Sequence, residues 1–163
     1  MSTSERAALS AEQLYGTWDL VRFVRLVDGE VIGDVLGPDP VGRISYQPDG
    51  RVTALLMQRD RAWPADGDFL QVDDATRGAA ALGFVGYGGW FELAGDTVTH
   101  HLDISLYPEH PGTDLVRVAR REDGLLVLRT EERRTRSGRL LYDELKWRPL
   151  AGRPYPRSPL IEE

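Results

Sequence analysis

The sequence has no cysteine, which excludes disulfides and thiolate metal sites and leaves apolar packing to hold the fold. Lysine is nearly missing as well. Lys146 is the only one, so Schiff-base chemistry has a single candidate position. Histidine is confined to His100, His101 and His110, all inside the stretch "TVTHHLDISLYPEH". No apolar run approaches the roughly 18 residues a membrane-spanning helix needs. The N-terminal "MSTSERAALSAEQL" lacks the basic and then apolar regions of a secretion signal. The expectation is a cytoplasmic protein with no membrane partner. Excess positive charge is lacking too: the formal charge is −6, which repels a phosphate backbone, so no nucleic-acid partner is expected. GxSxG, HExxH and Walker motifs do not occur. "GFVGYGG" fails as a nucleotide loop, because strand flanks it on both sides and no helix N-terminus follows.

What is present is a succession of short strands. "GTWDLVRFVRLVDGEVIG" reads as a strand from Trp18 to Leu26, a turn at Asp28-Gly29 and a return. Further hairpins turn at Pro48-Asp49-Gly50, Ala94-Gly95-Asp96, Asp123-Gly124 and Ser137-Gly138. These turns combine residues that preset φ with glycines that tolerate positive φ. About eight to ten strands at near-regular spacing indicate an all-β antiparallel sandwich or barrel. "SAEQLYG" carries a capping-box pattern at Ser10 and Gln13, and "DATRGAAALGF" has the alanine content of a short helix. "RDRAWPADGDFLQVDD" reads as a long loop. The 163 residues suit one domain, with a core over about 12–149 and an extended proline-rich tail over 151–163.

Side-chain alternation along the histidine strand separates its two faces. Val98, His100, Leu102, Ile104 and Leu106 share the apolar side, and Thr99, His101, Asp103 and Ser105 the polar side. His100 is therefore expected inside and His101 outside; a bulge near His100 would exchange them. Neighbours on a regular strand cannot chelate one ion together, so no metal is expected. His100 reads either as a core histidine bonded to a tyrosine or a carbonyl, or as an acid/base group lining a cavity. His101 reads as a surface partner of Asp103. On "GFVGYGGWFEL", Tyr87 shares the apolar side with Val85, Gly89, Phe91 and Leu93, and the glycines suit close packing, bending or a bulge. Arg117 shares its face with Leu115 and Ala119. An inward arginine must be paired or meet an anionic ligand. Glu144 and Tyr142 are further candidates for the interior.

Several spaced motifs occur in a recognisable order: "LYGTWDLVRF", "GPDPVGRISYQPDGRVTALLM", "RDRAWP", "GYGGWFEL", "TVTHHLDISLYPEHPGTDLVR" and "LKWRPL". Over about residues 12–149 this set resembles the bacterial and fungal lipocalin-like domain family, of the calycin type. The resemblance implies an up-and-down antiparallel β-barrel, closed or nearly so, that holds a small ligand. Some barrels of this kind shape a cyclisation or an isomerisation in natural-product pathways. Matching positions include Trp18, Tyr46, Tyr87, His100, His101, Arg117 and Trp147. Gly88 stands where the family commonly has a serine, and Val52 where it has methionine. In calycin barrels an arginine packs on the N-terminal tryptophan at the closed end, and Arg117 on Trp18 is the pairing this implies.

Two functions of different class are open. In the first, the protein is an enzyme of secondary metabolism, a cyclase, isomerase or lyase that needs no cofactor. It takes a hydrophobic polyketide- or terpenoid-like molecule into the barrel and assists a proton shift, mostly through orientation. His100, Tyr46 and Tyr87 are the expected catalytic groups. Trp90, Phe91, Leu102, Ile104, Arg117 and Trp63 are the expected ligand-binding residues. In the second, it is a carrier or sensor of a small apolar ligand and does no chemistry. The loop with Trp63 and Phe69 reads as a lid over the mouth or as a homodimer contact.

Overall fold

A computed structural model describes residues 8–151. The expected tail falls, from residue 152 on, outside the described residues. A short 3-10 turn, Ala11–Gln13, precedes ten strands: β1 (Gly16–Val27), β2 (Glu30–Asp34), β3 (Val41–Tyr46), β4 (Arg51–Met57), β5 (Phe84–Ala94), β6 (Thr97–Ser105), β7 (Asp114–Glu122), β8 (Leu125–Thr130), β9 (Arg133–Arg134) and β10 (Leu140–Pro149). One helix, α1 (Asp74–Leu82), stands between β4 and β5.

The sheet closes on itself. β1 pairs with β3, each strand from β3 to β7 with the next, β8 with β10, and β10 returns to β1, with Leu20 opposite Trp147 and Phe23 opposite Leu145. All pairings are antiparallel. Eight strands complete the up-and-down barrel, while β2 and β9 add short ribbons to β1 and β10. Closure leaves no long edge in the barrel wall.

The core fills the barrel. Trp18, Ile44, Tyr46, Val52, Val98, Leu126 and Trp147 are all buried inside. One end is sealed by the 3-10 turn: Leu14 is fully buried, and the Trp18 indole N–H donates to its carbonyl at 2.8 Å. Ser10 and Gln13 form the expected capping box there. At the opposite end lie the long connection 58–73, α1 and the β6–β7 loop. Asp73 caps α1 by accepting from the Thr76 N–H at 2.8 Å.

Two bulges between strands of the barrel wall reset the side-chain alternation, and a third register shift lies where β2 pairs with β1. On β1, the register against β10 shifts between Leu20 and Arg22. Trp18 and Leu20 point inward before it, and Phe23, Arg25 and Val27 pair with the inward β10 positions after it. On β6, Gly89 pairs with Leu102 but Gly88 pairs with Ile104, so Asp103 is the extra residue. Inward parity therefore passes from Leu102 to Ser105, and Ile104 is turned out, 71% exposed. The expectation that Ile104 lines the interior is corrected by this one added residue.

Gly89 makes the second bulge feasible. A Cβ built there would lie 1.9 Å from the His101 carbonyl oxygen, a backbone atom that cannot swing aside. Gly89→Ala should therefore destabilise the fold by about 3 kcal/mol or more, at the upper end of overpacking. Urea unfolding with matched m-values checks this. A loss under about 1 kcal/mol, the ordinary effect of a point mutation, would mean the strand contact is not held this tightly.

Candidate functional site

His100 is fully buried in the barrel, and both ring nitrogens are engaged. The Tyr46 hydroxyl lies 2.7 Å from Nε2, and the Tyr87 hydroxyl 2.9 Å from Nδ1. Three strands supply the group. Tyr46 ends β3 before the Pro48-Asp49-Gly50 turn, Tyr87 sits on β5 two residues before Gly89, and His100 is on β6 opposite Phe91. Phe91 packs edge-on against Tyr46, ring centroids 4.9 Å apart, and fixes its plane. Face alternation thus leads to the observed side for His100, Tyr87, Phe91 and Leu102, all buried.

A neutral imidazole has one N–H and one lone pair. One tyrosine must therefore donate to His100 while the other accepts from it. The accepting tyrosine keeps its own O–H, for which no acceptor exists among the described residues. The trio is a hydrogen-bonded chain with one donor left over.

The chain is neutral. Burial, helped by the Arg117 charge and slightly by His101, depresses the His100 pKa to about 3. Burial also pushes Tyr87 up to about 12 and Tyr46 well above the ordinary phenol value; the cation of Arg117 works against both rises. Charging the ring at pH 7 would cost about 5 kcal/mol, from four pH units at 1.36 each. His100 alone is thus a poor general base. What the arrangement can do is pass protons along a chain without creating a buried ion.

Arg117 faces inward, opposite the fully buried Val98 and two residues before the buried Ala119. It does not pack on Trp18. That place belongs to Arg121, whose guanidinium lies 4.9 Å from the Trp18 ring centroid. The reason is chain position: the same alternation that carries Leu115, Arg117 and Ala119 inward continues to Arg121, one step nearer the sealed end. Arg117 instead donates from Nη1 to the Val116 carbonyl at 2.9 Å, and it has no ion pair among the described residues.

Other expected site residues lie elsewhere. Trp90 is on the outer face, 43% exposed, stacked on His101 with ring centroids 3.9 Å apart. It has the opposite parity to Tyr87 and Phe91 and cannot line the interior. His101 bonds to Asp114 at 2.6 Å and Glu92 at 3.3 Å rather than to Asp103, which faces Arg51 instead. Trp63 stacks on Phe69 in the 58–73 loop and donates to the Gly67 carbonyl at 2.8 Å. With Arg61 and Ala80 these residues line a cleft of about 390 Å³ outside the barrel wall. Gly88 also faces outward, paired with Thr53 and Ile104, so the missing serine hydroxyl would not have reached the interior. His110 lies in the β6–β7 loop near the Ser105 hydroxyl at 3.3 Å. Among the described residues no three His, Asp or Glu side chains gather as a metal set.

One inward pair escaped the sequence reading. Arg25 donates to both carboxylate oxygens of buried Asp143, at 2.7 and 3.0 Å. The β1 bulge turned Arg25 inward, and nothing in the local sequence announces that bulge. Glu144 and Tyr142 consequently point out, Glu144 to Arg120 at 3.1 Å and Tyr142 beneath Arg129. The Arg25 side chain is 41% exposed although it points inward, so solvent reaches the interior at this end.

The two histidines should respond oppositely to pH. Between about 6.5 and 3 an unfolded His100 binds a proton that the native ring refuses, so stability falls as pH falls, by about 2 kcal/mol at pH 5. For His101, burial alone would lower the pKa, but bonds to Asp114 and Glu92 outweigh it and the net shift is upward. Its contribution is complete below the unfolded value and is lost as pH rises through the raised one. Nitrogen-15 NMR should find His101 titrating above the ordinary value and His100 as one neutral tautomer down to pH 4.5. In urea, His101→Gln should lose more stability than wild type between pH 7 and pH 5. A His100 ring that protonates near pH 6 would contradict the buried chain.

No curated protein matches the sequence. The lipocalin-like domain family matches residues 15–148, which takes in every strand from β1 to β8 and nearly all of β10. With the closed eight-strand barrel, this match shows that the chain belongs to the lipocalin-like domain family.

Proposed function

We propose that the protein, beyond the small-molecule binding that a lipocalin-like barrel suggests, is an enzyme without cofactor, which takes a hydrophobic polyketide- or terpenoid-like molecule into the barrel and isomerises or cyclises it through a proton shift. The observation that carries this reading is the Tyr46–His100–Tyr87 chain, with one hydroxyl proton uncommitted.

The chain suits an enolisation that never charges its members. The tyrosine with the uncommitted proton donates it to a substrate carbonyl oxygen. That tyrosine takes the imidazole N–H proton, and the other imidazole nitrogen takes the proton of the second tyrosine. The second phenol oxygen then accepts the proton leaving the carbon next to the carbonyl. Four protons move one step each, the carbonyl becomes an enol, and His100 ends in its other tautomer. Such a relay avoids the cost of a free imidazolium, and orientation by the apolar wall, including Phe91 and Leu102, supplies the rest. Ring closure or double-bond migration would follow from the enol's own reactivity.

Entry lies at the end away from the 3-10 seal. Phe23, Val35, Val85 and Leu115 are only partly buried there, and inward Arg25 meets solvent. The main clefts among the described residues lie on the outer wall and ends, and Tyr46, Tyr87 and His100 do not line them. A ligand on this path passes those side chains to reach the chain.

The second reading is a carrier. It is favoured by the bonding of His100 itself: with both nitrogens engaged, the ring is already a satisfied core group. The test is deuterium incorporation next to the carbonyl of hydrophobic 1,3-diketones and enones in heavy water. Tyr46→Phe and Tyr87→Phe each interrupt the relay with little change in shape. Wild type should accelerate exchange, and each variant should lose about a hundredfold or more, the usual worth of a positioned acid or base. Ligand binding with unchanged exchange in all three proteins would leave the carrier in place of the enzyme.

A further inference from the structure

Three arginines hold inward register in the barrel, and they differ in what answers their charge. Arg25 is paired with the Asp143 carboxylate through two bonds. Arg121 sits over the Trp18 ring and donates to the Gly124 carbonyl. Arg117 lies between them on β7 with only the Val116 carbonyl, and no carboxylate or ring faces it among the described residues. On β7 it stands two residues from Leu115, the cross-strand partner of His100, on the same inward face, which places it beside the chain. An uncompensated guanidinium in a partly buried setting is costly unless an anion meets it.

The remaining polar capacity of the interior has the same sign. One tyrosine O–H is uncommitted. The Trp147 indole N–H is buried with no partner among the described residues. The one buried carboxylate among the described residues, Asp143, is already occupied by Arg25. Among the described residues the interior thus keeps two uncommitted donors, the tyrosine O–H and the Trp147 N–H, and no buried carboxylate free to answer Arg117.

We infer that the ligand is an anionic amphiphile, an apolar body bearing one carboxylate that pairs with the Arg117 guanidinium next to the Tyr46–His100–Tyr87 chain. This rests on the reading that the barrel takes up a small apolar molecule, and it adds the charge class. A carboxylate accepts two parallel bonds from a guanidinium and a third from a phenol, which matches the donors available. The Arg25–Asp143 pair, already neutral, frames the entrance without competing for the anion.

The probe is a dansylated undecanoic acid compared with its methyl ester, followed by dansyl fluorescence and by the His100 ring resonances. The acid should bind at least about tenfold more tightly than the ester, as a charge-assisted pair requires. It should also move the His100 signals. Arg117→Gln should remove that preference while leaving ester binding in place, and Arg117→Lys should keep part of it. If Arg117→Gln does not fold, the acid-to-ester ratio and the His100 shifts in wild type still decide. Equal binding of acid and ester would overturn the anionic class and leave an apolar-ligand barrel standing. A preference that persists in both Arg117 variants, or that leaves His100 unmoved, would place the anion on the surface and overturn it too. Failure of both probes to bind would remove the ligand-binding reading itself.

Discussion

An imidazole sealed inside a barrel must find a donor and an acceptor at fixed distances, and much of this structure is arranged around that requirement. Tyr46 and Tyr87 meet it from different strands, at 2.7 and 2.9 Å. For both to arrive, β3, β4, β5 and β6 must hold one register over four consecutive strands, because a one-residue slip would send either phenol to the outer face. The hairpin turns at Gly50 and Gly95, both with positive φ, fix that register at the end nearest Tyr46. The bulge at Asp103 falls after His100, so it redirects Ile104 and Ser105 and leaves the histidine in place. Gly89, with no room for a Cβ, is what lets the two strands approach so closely beside the ring.

Neutrality of the trio follows from burial, but the electrostatic character of the interior follows from the arginines. Asp143 answers Arg25, and the aromatic face of Trp18 answers Arg121. These pairs sit toward the open and the sealed ends of the barrel, so the field that remains near the middle is that of Arg117. It disfavours protonated His100 and favours ionised phenols, the same direction in which a bound anion or a developing enolate would be stabilised. The outer face works differently. There half-buried His101 sits between Asp114 and Glu92 and is stacked on Trp90, which ties β5, β6 and β7 together but faces away from the interior.

The parts of this fold that sequence discloses are those set by local chemistry. Asp28-Gly29, Asp123-Gly124 and Ser137-Gly138 each occupy a turn whose backbone needs positive φ, and the hairpins could be read from them. The inward placement of His100 came from alternation with Val98 and Leu102, which is regular up to that point. Alternation fails wherever a strand carries an extra residue. The bulge near Val21 turned Arg25 inward, and that at Asp103 turned Ile104 outward, although neither position has an unusual residue. The Gly88-Gly89 pair was the one visible sign of the second bulge, and only the closeness of the His101 carbonyl shows which glycine is needed. Trp90 was misplaced for a simpler reason: an aromatic beside Phe91 draws attention as a ligand contact, although its parity is that of the outer face. Arg121 on Trp18 needed one more step of the alternation that placed Arg117.

The two readings of His100, satisfied core group and catalytic relay, differ less in geometry than in what stands next to Arg117. Three causes hold the ring unprotonated: loss of water, the neighbouring Arg117 cation and, last, His101. An anion paired with Arg117 removes the second cause while deepening the first. In a dry interior the charge effect acts over a longer range than it would in water, so neutralising Arg117 raises the proton affinity of His100 and withdraws the help that Arg117 gives to ionised phenols. Under the proposed pairing, an anion on Arg117 would make the imidazole a better proton acceptor than it is beside the free guanidinium. Ligand charge would then decide whether the same three side chains act as core or as machinery.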